Sequence, residues 1–549
     1  MKNKLNSMSL AALSAVLLLN LPLVASAQTL VNGANQTGII FTNTVADSYT
    51  FTANAGDSIN VRLGTTGFNG KLQLYGPGSV LLGTAQNGGT DNLITDTATN
   101  SGTFTVLVSS SSAGGTGTYV LNLAQMPESF IVPSGDQGGP MTNGGAYPGT
   151  ITLGDQQMWT FTANAGDSIS VRLGTTNFYG RLQLYGPNGA LLALVQVQST
   201  DNLITETATN SGTFTVLVSA YYNPGYLGGV EGTGTYVLSL AQAPESFIVS
   251  PGYQGGPMTN GGSYPGTITL GDQEMWSFPA NKGDNISVRL GTTGFYGRLQ
   301  LYGPNGALLA TVQNQSSDNL ITETATNSGT FTVLVSAYYA PGYSGGVEGT
   351  GSYVLSLAQF PEPFIVPSGD QGGAMTGSAS YAGTITLGDQ DMFSFTACTG
   401  DSINLQLNTT NFDGWLELFG SKGVLLKTTG GSTVSSIAYT ATNCGTFTVL
   451  VSSWFSEGTG TYGLTANGLS DELRECLPKI SGTNFTFNGV GGNNNANASF
   501  ILYSTTNIAT PFRLWTPVLT NHFDQFGVFA YTNIYNPAQR QQFFRFLVP

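Results

Sequence analysis

The stretch Thr97 to Ser109 reads TATNSGTFTVLVS; the same thirteen letters return at Thr207 to Ser219 and at Thr324 to Ser336, and with one change, Ser to Cys, at Thr440 to Ser452. Each copy opens on a turn signal, Asn-Ser-Gly or Asn-Cys-Gly, and runs into a β-rich segment in which Phe104, Val106 and Val108 share one face of a strand. Such a strand cannot stand alone, because its apolar face needs partner strands and a second layer. Each copy therefore marks one β unit. The Gly-Asp turns of NAGDSI, NAGDSI, NKGDNI and CTGDSI place equivalent glycines at Gly56, Gly166, Gly283 and Gly400, with spacings of 110, 117 and 117 residues. Solenoid units run about 20 to 50 residues, so these periods are whole domains that each bury a core: four tandem domains on a string.

In the second copy the pattern predicts strands over Gly149 to Leu153, Met158 to Ala163, Ser168 to Leu173, Arg181 to Tyr185, Ala190 to Gln196, Asn202 to Thr207, Thr213 to Ser219 and Thr235 to Leu240. Turn chemistry bounds each one, as at Gly186-Pro187-Asn188-Gly189 and Gly232-Thr233-Gly234. Short strands at this spacing, without a helical period, give an all-β fold: a tandem array of β-sandwich, jelly-roll-like domains. Charged residues are only 8% of the chain, against about 25% in an ordinary protein. The surface is therefore Thr, Ser, Asn, Gln and Gly, with few ion pairs expected.

The run GTITLGDQQMWTFTANAGDSISVRL, then GRLQLYGPNGALLA, TATNSGTFTVLVS and GTGTYVLSL, resembles the bacterial pre-peptidase C-terminal domain, a family related to the collagen-binding modules of secreted bacterial collagenases. The resemblance implies a small β-sandwich appended to secreted enzymes. Its hallmark G-D-x-D-x-aromatic-x-Phe keeps both acids at Gly388-Asp389-Gln390-Asp391; the second acid is Gln157 in the second copy and Glu274 in the third, and the first copy reads Val45-Ala46-Asp47. The likeness covers about residues 28 to 467. Domains are expected at 28–125, 126–243, 244–360 and 361–468, with a hinge at 469–479 and a small aromatic-rich β domain at 480–549.

The segments from Pro127 to Gly145, Pro244 to Gly262 and Pro361 to Gly377 join the copies. Their Phe-Ile-Val or Phe-Ile-Val-Pro cores predict an edge strand docked on the following module, which makes the array semi-rigid. Asp471 to Pro478 is expected to form a helical turn or two.

Basic Lys2 and Lys4, the apolar run from Leu10 to Leu23 and Ala25-Ser26-Ala27 read as a secretory signal peptide over 1–27. The expected address is secreted, extracellular or cell-surface, with no transmembrane helix after signal removal. Without the leader, 14 basic face 30 acidic residues, a net charge of −16. No basic patch is visible, which argues against nucleic acid as a partner. An extracellular polysaccharide or protein fits better, and the oligomeric state stays open.

Catalytic chemistry finds little footing. The one histidine, His522, lies in an Asn-His-Phe-Asp run read as a loop, and the three cysteines and this histidine lack zinc spacing. The repeated Asp57, Asp167, Asp284 and Asp401 sit at turns, where an Asx role explains them. Turns such as Gly135-Asp136-Gln137 and Asp201-Asn202 could offer oxygen ligands to calcium, but turn formation explains the same residues, so no cofactor and no metal is assigned. Binding candidates are the aromatic loops after the signature strand: Tyr221, Tyr222 and Tyr226, then Tyr338, Tyr339 and Tyr343, and Trp454 in the fourth copy. Rings on Gly-Pro loops suit sugars or protein surface, or pack over the edge of their own sandwich or the neighbour's. Cys398 and Cys444 are both substitutions within one module, which suggests a bridge between them with Cys476 left over. The expected function is a non-enzymatic spacer, adhesin or binding scaffold. The alternatives are a carbohydrate-binding protein and an accessory region of a secreted hydrolase system.

Overall fold

The computed structural model describes residues 27–41, 46–86, 88–222, 232–339, 349–375, 379–454 and 458–469, and in the C-terminal region 474–475, 479–481, 484–490, 497–524, 528–534, 538 and 541–549. Residues 1–26 of the leader expected over 1–27, and the candidates Tyr226 and Tyr343, lie outside these residues. Among the described residues there is no α-helix, and no helix long and apolar enough to cross a membrane.

The first module has nine strands: β1 Gln28–Thr29, β2 Asn35–Ile40, β3 Asp47–Ala53, β4 Ser58–Thr66, β5 Gly70–Gly76, β6 Val80–Ala85, β7 Asp91–Thr97, β8 Gly102–Ser110 and β9 Gly117–Met126. They form a five-stranded sheet, β1-β3-β8-β5-β6, and a four-stranded sheet, β2-β9-β4-β7. The same two sheets recur in the second, third and fourth modules, whose sheet strands span Gly139–Ala243, Gly256–Phe360 and Gly372–Asn467. All eight strands predicted in the second module are present, most of them extended by one or more residues; the missed ninth is Gly139–Pro140, which pairs in parallel with Trp159–Thr160.

Each sandwich closes on its own core. Phe104, Val106 and Val108 are all but fully buried in the first, facing Leu121 and Leu123 of the opposite sheet within one cluster. Stacked pairs recur across β3 and β8, such as Phe51 on Phe104 and Phe161 on Phe214. The four Gly-Asp turns hold as read: the carboxylate of Asp57, Asp167, Asp284 or Asp401 accepts from the backbone N–H three residues earlier at 2.7–2.8 Å.

The four modules form a docked stack. The outer face of each four-stranded sheet packs on the outer face of the next module's five-stranded sheet, so identical strands differ in burial. In β8, outward-facing residues are half-buried, whereas the equivalent Leu217, Leu334 and Leu450 are fully buried. Leu217 joins Ala124, Met126, Met158, Tyr185 and the linker residue Phe130 in an apolar joint, and equivalent clusters recur twice.

The linkers also differ from expectation. Phe-Ile-Val forms no strand. Instead Ile131, Ile248 and Ile365 donate their N–H to Asn32, Asn143 and Asn260 carbonyls of the preceding module at 2.9–3.0 Å. The Asn side chains clamp the same turn through Gln125, Gln242 and Gln359 carbonyls. Only after that does the short Gly139–Pro140 type of strand join the next module. The linker is thus fastened at both ends.

The C-terminal region folds as two small sheets around Phe500, Leu502, Phe523, Phe529 and Phe546. Arg474–Glu475 is a strand and not a helical turn, while 471–473 and 476–478 lie outside the described residues. His522 ends the strand Thr516–His522 and is exposed.

Candidate functional site

The three joints are built alike. In the first, Arg62 is 1% exposed; its Nε donates to Asp91 Oδ1 at 2.9 Å, its Nη2 to the other carboxylate oxygen, and its Nη1 crosses to the Ala220 carbonyl of the second module at 2.8 Å. Arg172 with Asp201 reaches Ala337 at 2.8 Å, and Arg289 with Asp318 reaches Ser453 at 3.0 Å. From the other side Gln156, Gln273 and Gln390 donate into the preceding module, to the Asn122 side chain and the Ser239 and Ser356 hydroxyls. Sequence reading missed these residues, because a polar residue on the outer face of an alternating strand reads as solvent-facing.

Two glycines let the backbones meet. Gly154 has φ +83°, and a Cβ there would lie 2.6 Å from Gly64 N; Gly189 has φ +78°, and its Cβ would lie 2.5 Å from Met126 O. The same contacts recur at Gly271 and Gly388 and at Gly306 and Gly423.

These joints also hold the bases of the aromatic loops. Tyr221 and Tyr222 follow Ala220 directly, and both are half-buried. The Tyr222 hydroxyl sits against the Leu93 backbone of the preceding module, and Tyr339 occupies the same place against Leu203. Burial pushes both phenols up. Tyr221 and Tyr338 are anchored by their N–H to the Tyr179 and Tyr296 carbonyls at 2.7 Å. Trp454, half-buried, meets Trp415 edge to face with centroids 5.0 Å apart and covers Gly430, where a Cβ would lie 2.4 Å from the indole.

A second cluster sits in the fourth module. Oxygens of Asp370, Asp389 and Asp391 lie within 4.8 Å of one another. Burial, then the charge of Asp389, pushes Asp391 up to about 9; burial, then Asp370, pushes Asp389 to about 6. Tyr462 donates to Asp391 Oδ2 at 2.6 Å, while the buried Oδ1 has no hydrogen-bond partner. Three converging carboxylates, one with an orphaned oxygen, suit a hard cation such as calcium or a shared proton. In the second module Gln157 replaces the third acid and donates to Asp136 at 2.5 Å and Asp155 at 3.1 Å, which relieves the same crowding. Asp201, considered above as an oxygen ligand, is committed to Arg172.

The cysteine expectation is corrected. Cys444 is disulfide-bonded, and Cys398 lies buried beside it and Val528 but is not its disulfide partner, so the Cys398–Cys444 bridge is not the pairing present. Cys476 lies outside the described residues.

The family model described as bacterial pre-peptidase C-terminal domain matches residues 45–110 and 155–220. No curated protein matches the chain. Among solved structures, the pre-peptidase C-terminal domain of collagenase from Bacillus anthracis is similar at 17% identity, covering 20% of this chain and 98% of that one, with a TM-score of 0.17. The M60 catalytic domain with CBM51-1 and CBM51-2 domains of Clostridium perfringens ZmpB is similar at 9% identity, covering 78% of this chain and 55% of that one, with a TM-score of 0.15. The matched regions fall on β3 to β8 of the first module and on the equivalent strands of the second, and the third and fourth modules repeat the same sheet order. The chain is thus built on tandem pre-peptidase C-terminal-like β-sandwich repeats.

Proposed function

We propose that the chain is an extracellular, non-enzymatic scaffold: a stiff rod of four docked sandwiches that acts as a spacer or adhesin. The observation that carries this reading is the thrice-repeated joint, in which a buried Arg–Asp pair of one module holds a main-chain carbonyl of the next. An enzyme does not need such joints, but a spacer of fixed length does. Linkers fastened at both ends serve the same purpose. Small-angle scattering of the full chain tests it: one elongated, rigid particle is expected at low and at high salt, because buried pairs are poorly screened. Scattering from independently moving beads would overturn it, and hydrolysis of any member of a peptide or glycan library would overturn the non-enzymatic part.

A second reading, carbohydrate binding, rests on the half-buried Trp415–Trp454 pair and on the tyrosines set at the joints. Rings held rigidly over a glycine floor offer apolar faces for sugar stacking.

A further inference from the structure

The second joint differs from the first at the arginine on the outer face of its later module. In the first, Arg181 on the outer face of the second module is satisfied within its own sheet: Nε donates to Gln196 Oε1 at 2.8 Å and Nη1 to Gln183. In the second, the equivalent Arg298 stands opposite Gln313 in the ladder, as Arg181 stands opposite Gln196. Gln313, however, turns to donate to the Tyr339 carbonyl at 2.8 Å, and Arg298 Nη1 and Gln313 Oε1 are left buried without hydrogen-bond partners. Arg298 is 9% exposed, and burial lowers its pKa to about 10. Trp415 takes the equivalent position at the third joint.

These groups line a groove of about 720 Å³ between the second and third modules. One wall is Arg298, Gln313 and Tyr339; the other is the strand pair of the second module that carries Val195, Leu203 and Glu206. The volume suits a few sugar rings. A nine-tenths buried guanidinium without a partner and an amide oxygen without a donor are costly, so a ligand that answers both gains from each.

We propose that this groove binds a hydroxyl-rich neutral glycan segment, an assignment that rests on the carbohydrate reading above. A sugar hydroxyl both donates and accepts, so one ring can serve Arg298 as acceptor and Gln313 Oε1 as donor. The Tyr339 ring and the Val195–Leu203 wall cover its apolar face. A carboxylate would answer Arg298 alone, and would then meet Gln313 Oε1 and Glu206 in a chain of net charge −14 before any processing. The first joint, where Arg181 is already bonded, offers no equivalent site, and Trp415 replaces the arginine at the third, so this groove occurs once per chain.

Isothermal titration of the full chain with cellohexaose, laminarihexaose, mannohexaose and hexagalacturonate tests the assignment. At least one neutral hexasaccharide is expected to bind at a one-to-one ratio, and Arg298→Gln and Gln313→Ala each weaken it about ten-fold or more. Arg181→Gln leaves it unchanged. Arg298→Gln is not expected to lower the melting temperature, because no intramolecular bond is lost; a loss of binding is then not a loss of fold. Binding that survives Arg298→Gln but fails with Trp454→Ala overturns the groove while sparing the carbohydrate reading. Binding of hexagalacturonate alone overturns the neutral ligand, and no binding by any probe overturns both.

Discussion

Arg62 Nη1 donates to the Ala220 carbonyl at 2.8 Å across the first joint, 158 residues away in sequence. The contact works because Asp91 holds the other edge of the guanidinium, so the charge is neutralised before it is buried. The carbonyl it reaches ends the strand equivalent to β8, immediately before the aromatic loop. One hydrogen bond thereby couples module spacing to loop position.

The first prediction follows at the second joint, where Arg172 and Asp201 side chains are 1% and 8% exposed. Arg172→Ala leaves Asp201 buried and unpaired, which costs about 3–5 kcal/mol. Replacing both with Arg172→Met and Asp201→Leu should recover most of that loss, because packed apolar groups avoid desolvation altogether. Urea denaturation measures both, and scattering of Arg172→Ala should show a bend between the second and third modules.

The strands were legible in the sequence and the joints were not, for one physical reason. Alternation reports one buried face, and SISVRL alternates well enough to place Ile169, Val171 and Leu173 in the core. Its other face carries Ser168, Ser170 and Arg172, which alternation assigns to water; Ser170 and Arg172 are in fact buried, 2% and 1% exposed. The clue available was the fourth copy, which reads SINLQL and replaces the arginine with Gln406. Tyr222 and Tyr339 show the same limit: the sequence offered binding, or packing on their own sandwich or a neighbour's, and their place at the joint depends on a docking that no local pattern encodes. The acid cluster was half legible, since Asp389 and Asp391 share a motif but Asp370 comes from the linker.

A pair of glycine substitutions separates docking from backbone strain. Gly154 and Gly166 both have positive φ, +83° and +99°, but a Cβ at Gly154 meets Gly64 N at 2.6 Å, while nothing lies within 4 Å of one at Gly166. Gly166→Ala should cost about 1–2 kcal/mol from the left-handed conformation alone. Gly154→Ala should cost more and should also separate the first two modules. Equal losses, with an unchanged scattering profile in both variants, would show that the close approach does not matter.

The acid cluster predicts a pH dependence with a definite sign. Asp391 is raised to about 9 from 3.8, so between about pH 4 and pH 9 the folded state holds a proton that the unfolded state has released. Stability of the fourth module should therefore be greatest at the low end of that window and fall as pH rises through it. Asp391→Asn, which mimics the neutral amide that Gln157 supplies in the second module, should flatten the slope. Calcium should raise the melting temperature of the unmodified chain more at pH 8 than at pH 5, because it competes with the proton for the same oxygens, and should do little for Asp391→Asn. Thermal melts across pH, with and without calcium or chelator, check all three.

The two outermost module faces lack the residues that build the joints. In the fourth module, Asn408, Gln406 and Val434 stand where the third has Gly291, Arg289 and Asp318. That outer face is polar and exposed at Ser402, Asn404, Gln406 and Asn408. In the first module, Ser79 stands in place of Gly189, where a Cβ would meet the preceding module's carbonyl, and Ala46 stands in place of Gln156. A second chain can therefore use neither face to repeat the joint. The full chain should sediment as a monomer. Restoring only the fourth module's face, with Gln406→Arg, Asn408→Gly and Val434→Asp, should leave it monomeric. Adding Ala46→Gln and Ser79→Gly should produce open head-to-tail chains, because the joint is heterologous and does not close on itself. Analytical ultracentrifugation distinguishes these states; head-to-tail association of the unmodified chain would show that the end substitutions do not cap it.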